Sequence, residues 1–145
     1  MIKLIKENKE DFLPLLLLGD EQLSSIGKYI DRSDLFALYD GGLRCVCAVT
    51  DEDGTLEIQN LATDERYQRR GYASSMLRYV FLHYKGRYDR VILGTGDVPG
   101  ILAFYRSFGF EETHRVPDYF TTHYDHPIID SGILLRDKVY LARKL

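Results

Sequence analysis

Six consecutive residues, Gln68-Arg69-Arg70-Gly71-Tyr72-Ala73, set two guanidinium groups and a glycine where a strand pattern gives way to a helix pattern. The chemistry on offer there is anion binding. The first N–H groups of a helix have no partner within it, and the helix dipole adds about half a positive charge at that end. Gly71 lets the backbone approach a ligand closely or take a positive φ, and Arg69 and Arg70 add full charges. A diphosphate suits such a terminus. The competing reading is a plain glycine at a helix start beside two solvated arginines, and spacing alone leaves both open. Other phosphate loops fit less well. No Gly-Lys-Ser/Thr ending is present for a nucleoside triphosphate loop. Gly94-Thr95-Gly96 is half of a dinucleotide fingerprint, but its third glycine stands misplaced at Gly100.

The elements that must position this segment follow from periodicity. Residues 55–62 read as the strand before it. Ala73, Met76, Leu77, Val80, Phe81 and Tyr84 fall on one helical face after it, and Gly86 ends that helix. Upstream, Ile2 to Ile5 reads as a strand, and residues 8–18 as a helix kinked or split by Pro14. Asp20 is placed as the N-cap of a second helix that carries Leu23, Ile26 and Ile30 on one side. Leu35–Tyr39 and Arg44–Thr50 flank the turn signal Asp40-Gly41-Gly42 and make a hairpin. Downstream, Arg90 to Gly94 is a strand that Gly94-Thr95-Gly96 breaks. Asp97 or Val98 caps a helix with Pro99 in its first turn, with Ile101, Phe104, Tyr105 and Phe108 in one stripe. Phe110 to Val116 is a strand, residues 117–136 are irregular, and Asp137 to Lys144 is a closing strand, available for edge pairing in a dimer. A loop of that length invites a functional reading. The order is that of one α+β domain over residues 1–145.

Composition narrows the classes. The chain has 145 residues, 45% of them hydrophobic and 28% charged, with a formal charge of −3. That is an ordinary globular make-up, with no basic stripe for nucleic acid and no run of about 20 apolar residues for a membrane span. The run Leu15–Leu18 follows Pro14 and is preceded by Lys9, Glu10 and Asp11, so it is no signal core, and the expected address is the cytoplasm. Cys45 and Cys47 stand two apart in a strand, on one face and poorly placed for a disulfide, and are read as reduced and partly buried. A metal would need further ligands beside them.

The segment Gln68–Ala73 resembles the Q/R-x-x-G-x-G/A signature of the GNAT superfamily of N-acetyltransferases. Leu102-Ala103-Phe104-Tyr105-Arg106-Ser107-Phe108-Gly109-Phe110 is similar to its L-Y-x-x-x-G-F element. Each motif is weak alone; together, and in this order of elements from Met1 to Leu145, they are specific. Pro117-Asp118-Tyr119-Phe120 and Gly132-Ile133 look like a small bacterial subgroup. The resemblance implies a GNAT-like fold: a central mixed, mostly antiparallel sheet of about six or seven strands with about four helices. It implies acetyl-CoA as cosubstrate, no metal, and direct transfer to an amine. The strand over residues 55–62 would splay at a bulge from residues 90–94. Backbone groups of Leu61 and Thr63, with Ala62 between them, would hold the pantetheine arm, and the Leu61 N–H would stabilise the developing oxyanion. Gln68, Arg69, Arg70, Gly71, Tyr72, Ala73 and Ser74 would form the pyrophosphate cradle.

By the same resemblance Tyr105 would protonate the leaving thiolate; otherwise it is a core aromatic. Glu57, eleven residues before Gln68, stands where one branch of the family has its base; otherwise it is a solvent-facing strand charge. Alternation puts Glu57, Gln59 and Leu61 on one face if no bulge intervenes. Where the family often has an asparagine, seven residues before the tyrosine, this chain has Val98. Glu111, Glu112, Asp118, Asp125 and Asp130, interleaved with Tyr119, Phe120 and Tyr124, offer an acidic and aromatic mouth for a cationic amine, or a solvated loop. His114, His123 and His126 are too irregularly spaced for metal ligands. The reading is a small-molecule amine acetyltransferase, monomeric or homodimeric. Its alternatives are a peptide or protein N-acetyltransferase and a CoA-binding sensor without turnover.

Overall fold

The hairpin about Asp40-Gly41-Gly42 organises the first of two units, Met1–Asp89 with Leu145, in a computed structural model that describes every residue from Met1 to Leu145. Strand β2 (Asp34–Tyr39) pairs antiparallel with β3 (Leu43–Glu52), and β1 (Ile2–Ile5) lies along the outer side of β2. A turn at Asp53-Gly54 leads into β4 (Thr55–Thr63), antiparallel to β3. Helix α1 (Leu13–Gly19), preceded by a tight turn at Lys9–Phe12, and the single-turn α2 (Leu23–Ile26) cover one face. There Leu16, Ile26, Leu35, Ala37, Val46 and Ala48 are wholly buried. Helix α3 (Tyr72–Tyr84) covers the other face, where its Met76, Leu77 and Val80 are fully buried. Each large aliphatic residue so buried contributes about 1.5–3 kcal/mol.

The second unit, Arg90–Lys144, is built on a three-stranded antiparallel layer. Strand β9 (Lys138–Lys144) lies between β5 (Arg90–Gly96) and β6 (Glu111–Val116), antiparallel to both. Helix α4 (Pro99–Ser107) starts with Pro99 in its first turn, and Gly109, at φ 89°, follows its end. A single-turn α5 (Tyr119–His123) and a short hairpin of β7 (Ile129–Asp130) and β8 (Ile133–Leu134) complete it. Val98, Ile128 and Leu135 form a small core with Ile101, Phe120 and Tyr124 against it. No helix of the chain is long and apolar enough to cross a membrane.

The α+β character and the mostly antiparallel pairing are as expected, and Pro14 splits the first helical stretch into two short pieces. Five details differ. Asp20 is no N-cap: Gln22 holds that position, and the Asp20 carboxylate accepts from Ser25 at 2.7 Å and Tyr29 at 3.3 Å. Leu23 is exposed, not packed beside Ile26. Gly94 and Gly96 do not break β5 but lie within it, because side chains of neighbouring segments occupy the space a Cβ would need: Lys138 at Gly94 and Leu135 at Gly96. Residues 117–136 hold a helix turn and a hairpin rather than irregular chain. The closing strand is paired on both sides, so it offers no edge for a dimer.

Candidate active site

The end of β4 and the start of α3 are tied into one loop by the chain's own side chains. The Asp64 N–H donates to the Arg44 carbonyl at 2.9 Å, which extends the β3–β4 ladder. The Asp64 carboxylate then caps the turn Glu65–Tyr67, accepting from the Arg66 N–H at 3.0 Å and from its guanidinium at 3.0 Å. These bonds hold the Asp64 carboxyl below the usual carboxylate range. Gln68 reaches back and donates to the Thr63 carbonyl at 3.2 Å. A carbonyl keeps a second lone pair, so this bond fixes the loop without using up Thr63.

Two left-handed residues then turn the backbone into the helix: Arg69 at φ 63° and Gly71 at φ 86°. Gly71 is the N-cap of α3, and no side chain caps the helix. The first intrahelical bond is Ser75 N–H to Gly71 carbonyl at 3.0 Å. The amides of Gly71, Tyr72, Ala73 and Ser74 therefore precede the ladder as uncapped donors. A Cβ at Gly71 would meet nothing within 4 Å. The glycine is required by its φ, and the space in front of it is open. This is the arrangement a pyrophosphate fits: unpaired N–H groups, a helix dipole and bare backbone.

Charge around the loop is positive and partly fixed by an aromatic ring. The Arg44 guanidinium lies 3.7 Å from the Tyr67 ring centroid, and those of Arg66 and Arg70 lie 5.4 Å from it. The Arg44 Nε is buried without a partner. Tyr72 donates to Asp40 at 2.7 Å, which raises its hydroxyl above the usual range and anchors the first turn of α3 to the β2–β3 turn. A groove of about 650 Å³ runs past Arg44 and Arg66, floored by Phe12, Leu15 and Leu43. The grouping of Arg44 with Tyr67 was not foreseen. Its signal is weak, since Arg44 is one residue of a strand 23 positions before Tyr67.

Strand β4 carries the bulge that the resemblance implies. Ala48 pairs with Asn60 but Val49 pairs with Ile58, so Gln59 is the extra residue. Glu57 pairs with Thr50, and Leu61 pairs with Cys47. Thr50 and Cys47 are three apart on a regular strand and point to opposite faces. Glu57 and Leu61 therefore do not share a face. Leu61 lies with Thr63 on the face of α3. Glu57 lies with Gln59, whose amide donates to Thr50 at 3.1 Å, and with Asn60, which donates to the Leu16 carbonyl of α1 at 2.8 Å. Glu57 is half-buried, and its charge adds to that of Glu52 in raising Arg32. Ala62 is buried against the α1 side.

In the second unit Tyr105 sits half-buried on α4, edge-on to Phe104 at 5.2 Å and to Phe110 at 5.7 Å. Val98, the departure from the family pattern, is the N-cap of α4 and a core residue. Three of the five acids in 111–130 are ion-paired within the unit. Glu112 and Asp97 pair with Arg115, Asp118 with Arg136, and Asp125 with His126. Phe120 and Tyr124 stack and pack on the small core. No group of three or more His, Cys, Asp or Glu side chains is placed to hold a metal ion.

A family model described as an acetyltransferase (GNAT) domain matches residues 31–112. A solved structure of an IAA acetyltransferase from Bacillus cereus is 33% identical, with a TM-score of 0.92, over 100% of this chain and 99% of that one. A GNAT family acetyltransferase from Elizabethkingia anophelis, solved with acetyl-CoA bound, is 28% identical, with a TM-score of 0.93, over 100% of this chain and 97% of its own. The uncharacterised N-acetyltransferase YvbK of Bacillus subtilis is 29% identical over 97% of this chain and 93% of its own length.

Proposed function

Since this chain belongs to the GNAT family and is an N-acetyltransferase, we propose that it transfers the acetyl group of acetyl-CoA to the primary amine of a small molecule. The observation that carries the cosubstrate is the uncapped start of α3 behind Gly71 at φ 86°, where four amides and two arginines meet in open space. Bound there, CoA supplies the acetyl thioester. The relative solved with acetyl-CoA supports the same cosubstrate here.

The chain's own residues supply the rest. The amides of Gly71, Tyr72, Ala73 and Ser74, with Arg69 and Arg70, hold the pyrophosphate, and Gln68 fixes the loop from within. Backbone groups of Leu61, Ala62 and Thr63 hold the pantetheine arm. Glu57, directly or through water, takes the proton that the ammonium must lose. As the amine nitrogen bonds to the acetyl carbon and the carbon–sulfur bond breaks, the Tyr105 hydroxyl gives its proton to the thiolate, and the proton then lost by the acylated nitrogen passes through water to restore the tyrosine. Holding amine and thioester side by side supplies the proximity term.

The test is free-thiol release from acetyl-CoA across a panel of small amines and N-terminal peptides. Turnover of small amines is the expected result, and turnover of peptides alone would replace the acceptor class. CoA binding by calorimetry with no turnover of any amine would leave a sensor. Tyr105→Phe is expected to lower kcat roughly 100-fold, the scale of one general acid. Unchanged kcat would remove Tyr105 from that role.

A further inference from the structure

The sequence offers the faces of Tyr119 and its aromatic neighbours to a cationic substrate, but the protein itself fills that place. The ammonium of Lys138 stands 4.3 Å from the Tyr119 ring centroid and 5.1 Å from that of Tyr140. Each tyrosine is in turn stacked on a histidine, Tyr119 on His123 at 4.3 Å and Tyr140 on His114 at 4.6 Å. The rings are thus held from more than one side. The stem of Lys138 crosses β5 where that strand has no side chain: a Cβ at Gly94 would lie 2.2 Å from the Lys138 Cε and 3.0 Å from the Tyr140 ring. Glycine, lysine and tyrosine are fitted to one another, and the lysine lies across the sheet instead of extending into water as a surface lysine does.

A lysine so placed has three N–H donors to satisfy. Lys138 makes no hydrogen bond and no ion pair; its polar contacts are the two ring faces. Four acids of this unit are engaged elsewhere. Arg115 takes Asp97 and Glu112, Arg136 takes Asp118, and Asp137 accepts from the Asp118 amide. Ring faces attract a cation but accept few of its hydrogen bonds, so they position the ammonium and leave its N–H groups to another partner. An ammonium already ordered and partly stripped of water gives up less on meeting an anion than a free surface lysine would. A single ammonium matches a carboxylate. A phosphate, with more charge and more oxygens, is held best by several donors together, and both nearby arginines are committed to carboxylates.

We propose that Lys138 binds a carboxylate on the acceptor, so that the molecule acetylated is an amino acid or another small amine bearing a carboxylate, with Tyr119, Tyr140 and Gly94 positioning the lysine. The proposal rests on the acetyltransferase reading for the word acceptor; the recognition of the carboxylate is measurable apart from turnover.

The probes are L-leucine, L-phenylalanine and L-lysine, each against its own carboxamide, which keeps the amine and removes the charge. In the presence of CoA, calorimetry on the wild type should show at least one acid bound tenfold or more tighter than its amide. Lys138→Met should bring that ratio near one by weakening the acid and leaving the amide unchanged, and Lys138→Arg should recover part of it. Gly94→Ala, which pushes on the lysine stem, should lower the ratio while the lysine remains. If acetyl-CoA turnover is present, the same ratios should appear in KM rather than kcat. Absence of turnover with the binding ratio intact would discard the transferase reading and keep the carboxylate site. No acid bound more tightly than its amide, or a Lys138→Met variant that weakens acid and amide alike, overturns the proposal. Unchanged melting of Lys138→Met and Gly94→Ala separates lost binding from lost fold.

Discussion

The segment Asp64–Ser74 and the surroundings of Lys138 both carry positive charge, and they hold it by different means. In the first, the donors are main-chain amides, set by two positive φ values at Arg69 and Gly71 and by the start of a helix. Side chains there act as struts: Gln68 on Thr63, Asp64 on Arg66, Tyr72 on Asp40. In the second, the donor is one side chain, and what fixes it is the absence of another at Gly94 together with two rings. A backbone site tolerates most substitutions around it and depends sharply on one glycine. A side-chain site depends on every member of its set. The first kind suits a cosubstrate shared by a whole family; the second suits what distinguishes one member.

The sharpest way to break this comparison is Gly71→Val. A branched residue held in the left-handed region costs about 1–2 kcal/mol, and its side chain fills the open space in front of the amides. CoA affinity by calorimetry should fall roughly 30-fold or more. Lys138→Met should leave that affinity within about twofold, because main-chain amides rather than a lysine supply the donors of the loop. A Gly71→Val protein that bound CoA as the wild type does would remove the backbone account of the loop.

The next effect concerns the strand under the loop. Cys45 pairs across from Thr63, and burial pushes its thiol up to about 11, with Cys47 raised well above the ordinary range for the same reason. The folded state therefore holds these protons more tightly than the unfolded chain. The Cys45 contribution is whole below the unfolded value of 9.0 and is lost as pH rises through about 11. Wild-type melting temperature should drop across that window, and Cys45→Ala should flatten the drop by about 2 kcal/mol of unfolding free energy. An alkaline limb unchanged in Cys45→Ala would mean that another group sets it. A smaller effect separates charge from backbone within the loop. Arg70→Gln should weaken CoA several-fold at low salt, and raising the salt should shrink the difference, as expected for an exposed charge.

The loop was legible because its parts are contiguous: glycine, arginines and the onset of a 3.6-residue period stand side by side in Gln68–Ala73. The strands and helices around it were legible for the same local reason. What was not legible depends on residues far apart in the chain. Gly94 and Gly96 look like breakers until Lys138 and Leu135 are seen in the space their side chains would fill. Asp20 has the chemistry of a cap, yet Ser25 and Tyr29 engage its carboxylate. The extra residue at Gln59 leaves no mark in the pattern, because burial still alternates along β4 while the pairing slips by one. That slip is what parts Glu57 from Leu61. The aromatic run after Val116 reads as a place for a substrate cation, and only the register of β6 with β9, which sets Val116 opposite Lys138, brings Lys138 there first.

The smallest predicted effect is also the finest division of the loop. Asp64 is half-buried and caps the turn Glu65–Tyr67 through the Arg66 amide. Asparagine keeps an oxygen for that amide and removes the charge. Because Arg66 holds the folded carboxyl below its ordinary value of 3.8, the stabilisation is present above that value and is lost as pH falls through the lower folded one. Asp64→Asn should therefore melt like the wild type at strongly acid pH and slightly below it near neutrality. Its CoA affinity should be unchanged or higher, since one negative charge has left the surroundings of Arg66 and Arg70. If Asp64→Asn instead weakens CoA as much as Arg70→Gln does, the charge pair rather than the cap sets the loop, and the cradle is less a backbone site than its two positive φ values imply.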